Sequence, residues 1–78
     1  MLYHERVLLP DGAMLELALE PGPRYRLRRG RPGDWRVCYH NLEGRGHRRA
    51  IDGRESAYEF RSVEQLRYDF ERDAEADA

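Results

Sequence analysis

The chain has 78 residues, enough for one small domain with a thin core. Its single cysteine, Cys38, excludes an internal disulfide framework and any zinc site built from several cysteines. No apolar run approaches the roughly 18 residues that span a bilayer, and Met1-Leu2-Tyr3-His4-Glu5-Arg6 lacks the apolar core of a signal peptide. A cytoplasmic protein without membrane contact is therefore expected.

All fourteen cations are arginine. The planar guanidinium suits phosphate oxygens and stacks on bases. The net charge of −1 conceals a segregation: residues 1–23 balance to −3, residues 24–54 to +7 and residues 55–78 to −5. In the middle block ten arginines face three acids. Such a block suggests a polyanionic partner. The alternative is that these arginines pair with the acidic C-terminal helix inside the fold.

In chain order, Leu2 to Leu9 reads as a strand closed by the turn Pro10-Asp11-Gly12. Leu15, Leu17 and Leu19 alternate with Glu16, Ala18 and Glu20, which makes the second strand of a hairpin. Pro21-Gly22-Pro23 breaks the chain. Tyr25 and Leu27 face one way in a third strand, with Arg24, Arg26 and Arg28 on its second face. After Gly30-Arg31-Pro32-Gly33-Asp34, a fourth strand alternates Trp35, Val37 and Tyr39 with Arg36, Cys38 and His40. A strand from His47 to Ile51 follows a glycine-bearing loop, and Asp52-Gly53 is a hairpin signal. Tyr58 and Phe60 are placed on the return strand. Ser62-Val63-Glu64-Gln65 reads as a capping box, with Ser62 capping the helix and Gln65 reaching back. Val63, Leu66 and Phe70 follow helical spacing to about Arg72, and residues 73–78 read as a frayed acidic tail.

The expected fold class is α+β, one domain over residues 1–72, with an antiparallel sheet of five or six strands and one C-terminal helix packed on a face. The leucines of the second strand, Trp35, Val37, Ile51, Phe60, Val63, Leu66 and Phe70 are its predicted core.

The chemistry concentrates in residues 39–49. His40 and His47 lie seven apart across a glycine loop, and imidazoles titrate near neutrality. Metal-free RNA cleavage needs a base for the 2′-hydroxyl, an acid for the leaving oxygen and cations for the phosphorane. His47 and His40 are the candidate catalytic pair. Arg45, Arg48 and Arg49 suit bidentate phosphate binding. Tyr39 is a candidate for base stacking and Asn41 for a phosphate or base edge, while Arg26 and Arg28 extend the basic surface. Two readings stay open beside these: Tyr39, on the Trp35 and Val37 side, belongs to the core, and Asn41 only closes the turn. No metal site is expected, because the histidines and Glu43 show no ligand spacing. No cofactor is expected either. Cys38 has no base beside it.

Several motifs resemble the TumE-type toxin family of bacterial toxin–antitoxin modules. They are Tyr25-Arg26-Leu27; Tyr39-His40-Asn41 with Gly44-Arg45-Gly46-His47-Arg48-Arg49; and Tyr58-Glu59-Phe60-Arg61-Ser62-Val63-Glu64-Gln65-Leu66 with Asp69-Phe70. Their order and spacing match the family pattern over about residues 25–72. Three positions depart from it. His40 stands where the family usually has aspartate, Arg45 replaces a lysine, and Arg49 replaces the second histidine of a His-Arg-His run. An acid–base pair in this chain then requires His40 beside His47. The resemblance implies a small type II toxin that acts on RNA and is neutralised by a helix-turn-helix antitoxin encoded beside it. The alternatives are a non-catalytic nucleic-acid-binding module and a protein-interaction domain.

Overall fold

The computed structural model describes residues 3–76. Six strands run in chain order: β1 (Tyr3–Leu8), β2 (Met14–Glu20), β3 (Arg24–Arg31), β4 (Asp34–His40), β5 (Arg48–Ile51) and β6 (Arg54–Ala57). They form one antiparallel sheet in the order β1-β2-β3-β4-β5-β6, and the helix α1 (Val63–Ala76) packs on β3 and β4. This is the expected α+β arrangement. Leu2 of the predicted first strand lies outside the described residues.

The hairpin turns follow from local chemistry. Asp11 accepts a 2.9 Å bond from the Ala13 amide, an Asx turn that closes β1 onto β2. Asp52 and Gly53 both take positive φ, 51° and 83°, the pair a two-residue β5–β6 turn demands.

Alternation then sorts the side chains. Leu17, Tyr25, Leu27, Val37 and Tyr39 face the helix and meet Leu66, Phe70 and Ala74, which recur every four residues along α1. Burying a large apolar side chain contributes about 1.5–3 kcal/mol, so Leu66 and Phe70, each 0 % exposed, hold the helix down.

Trp35 breaks the alternation. The register shifts between Arg29↔Val37 and Gly30↔Trp35, which leaves Arg36 as an extra residue in β4. The bulge turns Trp35 away from the predicted core and places its ring under the Arg28 guanidinium, 4.0 Å away, on the face without the helix. Gly30 makes this possible: a Cβ there would stand 2.4 Å from the Asp34 carbonyl oxygen and 2.8 Å from the Trp35 Cα.

Other expectations also shift. Ile51 and Val63 are half-buried and lie outside the central cluster. Tyr58 and Phe60 follow β6 in the extended link to the helix, where both pack against the core. Ser62 Oγ does accept the Gln65 amide at 3.0 Å, but the Gln65 side chain turns forward to Asp69 at 2.8 Å. The helix continues past Arg72 to Ala76 in place of a frayed tail, because Ala74 is buried and the Tyr39 hydroxyl bonds Asp73.

Candidate nucleic-acid interface

The face of the sheet opposite α1 carries two cross-strand rows. One is Arg6↔Glu16↔Arg28↔Cys38; the other is His4↔Ala18↔Arg26↔His40↔Arg48. Cations placed directly opposite one another repel, and two carboxylates offset this. Glu16, with 4 % of its side chain exposed, receives Arg28 Nε at 2.5 Å, Arg6 Nε at 3.0 Å and Arg26 at 3.6 Å. Burial works against its charge, but the bond from Arg28 and the neighbouring guanidiniums outweigh that and hold it below the usual carboxylate range. Glu55 binds Arg48 at 2.9 Å and Arg45 at 3.0 Å, and the Arg48 bond leads the forces that lower its proton affinity.

The acidic helix therefore lies over the other face and leaves this one bare. From residues 24–54, Arg49 reaches a helix carboxylate, 3.8 Å from Asp73.

The predicted site residues divide between the faces. Arg26, Arg28, His40 and Arg48 share the helix-free face, and Arg45 joins them through Glu55. His47 lies on the helix side, where its Nδ1 is 2.8 Å from the Tyr25 hydroxyl and its ring stacks on Phe60 at 4.8 Å. The structure does not bring His40 and His47 together as an acid–base pair. They flank a loop in sequence, but His40 is one residue out of phase with the core-facing Tyr39.

Tyr39 is fully buried and bonds Asp73; burial, followed by that bond, raises its phenol to about 12. Asn41 is occupied at both ends of its amide, accepting the Tyr25 amide at 2.9 Å and donating to the Pro23 carbonyl at 2.8 Å. It ties the start of β3 to the end of β4, so its amide is not offered to a ligand. Arg49 points to the helix side, opposite Arg48.

Reading the sequence missed Glu16, Arg6 and the exposed side of Trp35. The signal for Glu16 was present: closing the first hairpin at Pro10-Asp11-Gly12 sets Arg6 opposite Glu16. Burial pushes the Cys38 thiol up despite nearby arginines, which keeps it a poor nucleophile.

His40, Glu43 and Glu55 bring one donor atom each within 4.8 Å of one another. Arg45 bonds both carboxylates, at 2.8 Å and 3.0 Å, so a guanidinium already neutralises the cluster.

In comparisons with protein-family models, curated proteins and solved structures, nothing matches this chain. Among the described residues no helix is long and apolar enough to cross a membrane.

The arrangement as a whole suits a polyanion. Guanidiniums from three strands are bonded by two carboxylates, with the His40 imidazole and the Glu55 carboxylate within 4.8 Å of each other.

Proposed function

We propose that this chain is the toxin of a type II toxin–antitoxin module, acting on RNA laid across the helix-free face of its sheet. The observation that carries this reading is the uncovered row Arg26↔His40↔Arg48. Arg26 and Arg48 hold phosphate oxygens, and Arg45 adds a third cation at the loop. His40 stands between them and within 4.8 Å of Glu55. Glu55 accepts the 2′-hydroxyl proton as the 2′-oxygen attacks phosphorus. His40 gives a proton to the departing 5′-oxygen, and the arginines stabilise the phosphorane. The products are a 2′,3′-cyclic phosphate and a 5′-hydroxyl. His47, fixed by Tyr25, supports the loop from the other face.

A second reading has its own observation: Glu55 is already bonded to Arg48 and Arg45, which weakens it as a base. It is a nucleic-acid-binding module that performs no cleavage.

Purified protein incubated with labelled RNA and a metal chelator separates the two. Cleavage that leaves cyclic phosphate ends and disappears in His40→Ala supports the first. Salt-dependent binding with intact RNA supports the second. If His47→Ala abolishes cleavage and His40→Ala does not, the proton role returns to His47. Expression in a bacterial host tests the toxin assignment: growth arrest relieved by an adjacent helix-turn-helix gene is expected, and unaffected growth overturns it.

A further inference from the structure

The Arg28–Trp35 pair lies beside the row Arg26↔His40↔Arg48 on the same face. Three features converge on it. Glu16 takes Arg28 Nε at 2.5 Å and anchors the guanidinium. The centre of the Trp35 ring lies 4.0 Å from the Arg28 Cζ. The bulge lies at Gly30, where an added Cβ would collide with the β4 backbone, and it puts the indole on this face. A tryptophan in strict alternation would have joined the core and gained more burial there. Arg28 keeps 21 % of its side chain exposed, so the pair is not sealed.

We infer that Arg28 and Trp35 form a stacking platform for an unpaired RNA base, which makes the face selective for single-stranded RNA. This rests on the RNA-acting reading above. A guanidinium lying over an indole presents a cationic surface above an aromatic ring, and unpaired bases stack on aromatic rings and on arginine planes. The Glu16 bond uses one of five donors, which leaves others for the phosphate beside the stacked base. The row Arg26↔His40↔Arg48 lies next to Arg28 along the same strands, so the backbone of one strand can follow the row while a base turns onto the platform. A duplex cannot do this, because its bases stay stacked on each other and its deep groove excludes side chains.

Trp35 is the only tryptophan, so its fluorescence reports the platform directly. Wild-type protein is titrated with single-stranded RNA and with duplex RNA of equal length, and binding is measured independently by labelled-RNA retention. The expected result is a saturable change in Trp35 emission with the single strand, in step with binding, and tighter binding of the single strand than of the duplex. Arg28→Lys keeps the charge and loses the plane. It should weaken single-strand binding by about tenfold, the size of one lost base stack, with the salt slope unchanged. Binding without a Trp35 response overturns the platform alone, as does an Arg28→Lys variant with wild-type affinity or a preference for duplex. If wild-type protein binds no RNA, the RNA-acting reading fails and the platform falls with it. The wild-type titration decides even if Arg28→Lys does not fold.

Discussion

The Tyr25 hydroxyl and His47 Nδ1 lie 2.8 Å apart on the helix side of the sheet. Burial raises the Tyr25 phenol to about 12, so it keeps its proton throughout the neutral range. A buried hydroxyl needs an acceptor, and Nδ1 provides it. Donation from Tyr25 to Nδ1 predicts a His47 tautomer with its proton on Nε2. Nitrogen NMR should show that single tautomer in the wild type and a mixture in Tyr25→Phe. Losing the bond should cost about 1 kcal/mol, read as a fall in Tm of about 4–8 °C for a domain of this size. A Tyr25→Phe melting point equal to wild type would show that the bond contributes nothing.

Asn41→Ala removes both side-chain bonds that tie β3 to β4. At about 1 kcal/mol each, stability should fall by about 2 kcal/mol in denaturant unfolding. RNA affinity of the folded fraction should not change. A variant that folds normally but binds RNA poorly would place Asn41 at the ligand instead.

Arg26 and Arg49 sit on opposite faces and make a matched pair of tests. For a single strand, each lost phosphate contact lowers the slope of log affinity against log salt by about 0.7. Arg26→Ala should show that change. Arg49→Ala should leave the slope alone and instead loosen the contact with Asp73, lowering Tm. An altered slope in Arg49→Ala would move RNA to the helix side.

Acid should destabilise the fold in a traceable way. Glu16 and Asp69 are both held below the usual carboxylate range. For Asp69, burial opposes the charge, and bonds from Tyr58 at 2.6 Å and Gln65 at 2.8 Å outweigh it. A folded-state pKa below the unfolded one means that unfolding takes up protons in acid. The stabilisation is complete above the unfolded value of about 4 and is lost as pH falls through the lower folded value. Tm should therefore decline below about pH 4. Glu16→Gln should flatten that decline while lowering Tm at neutral pH, since Arg6, Arg26 and Arg28 would then face one another without their shared counter-charge. A Glu16→Gln profile parallel to wild type would mean that Glu16 carries no share of the acid response.

The sheet and the helix start were legible because their signals are local. Pro10-Asp11-Gly12, Asp52-Gly53 and the leucine alternation each act within a few residues, and Ser62 needs only the next turn of chain. What stayed hidden depends on distant partners. Trp35 changes face because Gly30 allows the backbones of β3 and β4 to approach closely. The last turn of α1 is set by Tyr39, thirty-four residues away from Asp73 in sequence. In the candidate site, alternation places Arg26 and Arg28 of β3 on one face, while Arg29 takes the other. His40 and His47 were paired by their short separation, although alternation from Tyr39 already set His40 on the face away from the core. Tyr39 and Asn41 each had a structural reading beside the functional one, and their hydrogen bonds favour the structural reading.

The division of charge between the helix face and the bare face has a consequence for how the molecule meets its surroundings. Its thinnest dimension is 21 Å, between about two and three Debye lengths at physiological salt. Through the surrounding salt solution the two surfaces are thus largely screened from each other. A nearby polyanion responds to the field of the surface in front of it and hardly at all to the net charge of −1. With almost no monopole to pull it in, the protein is turned by its dipole before contact, sheet side first. An ion exchanger of either sign should retain it, in opposite orientations.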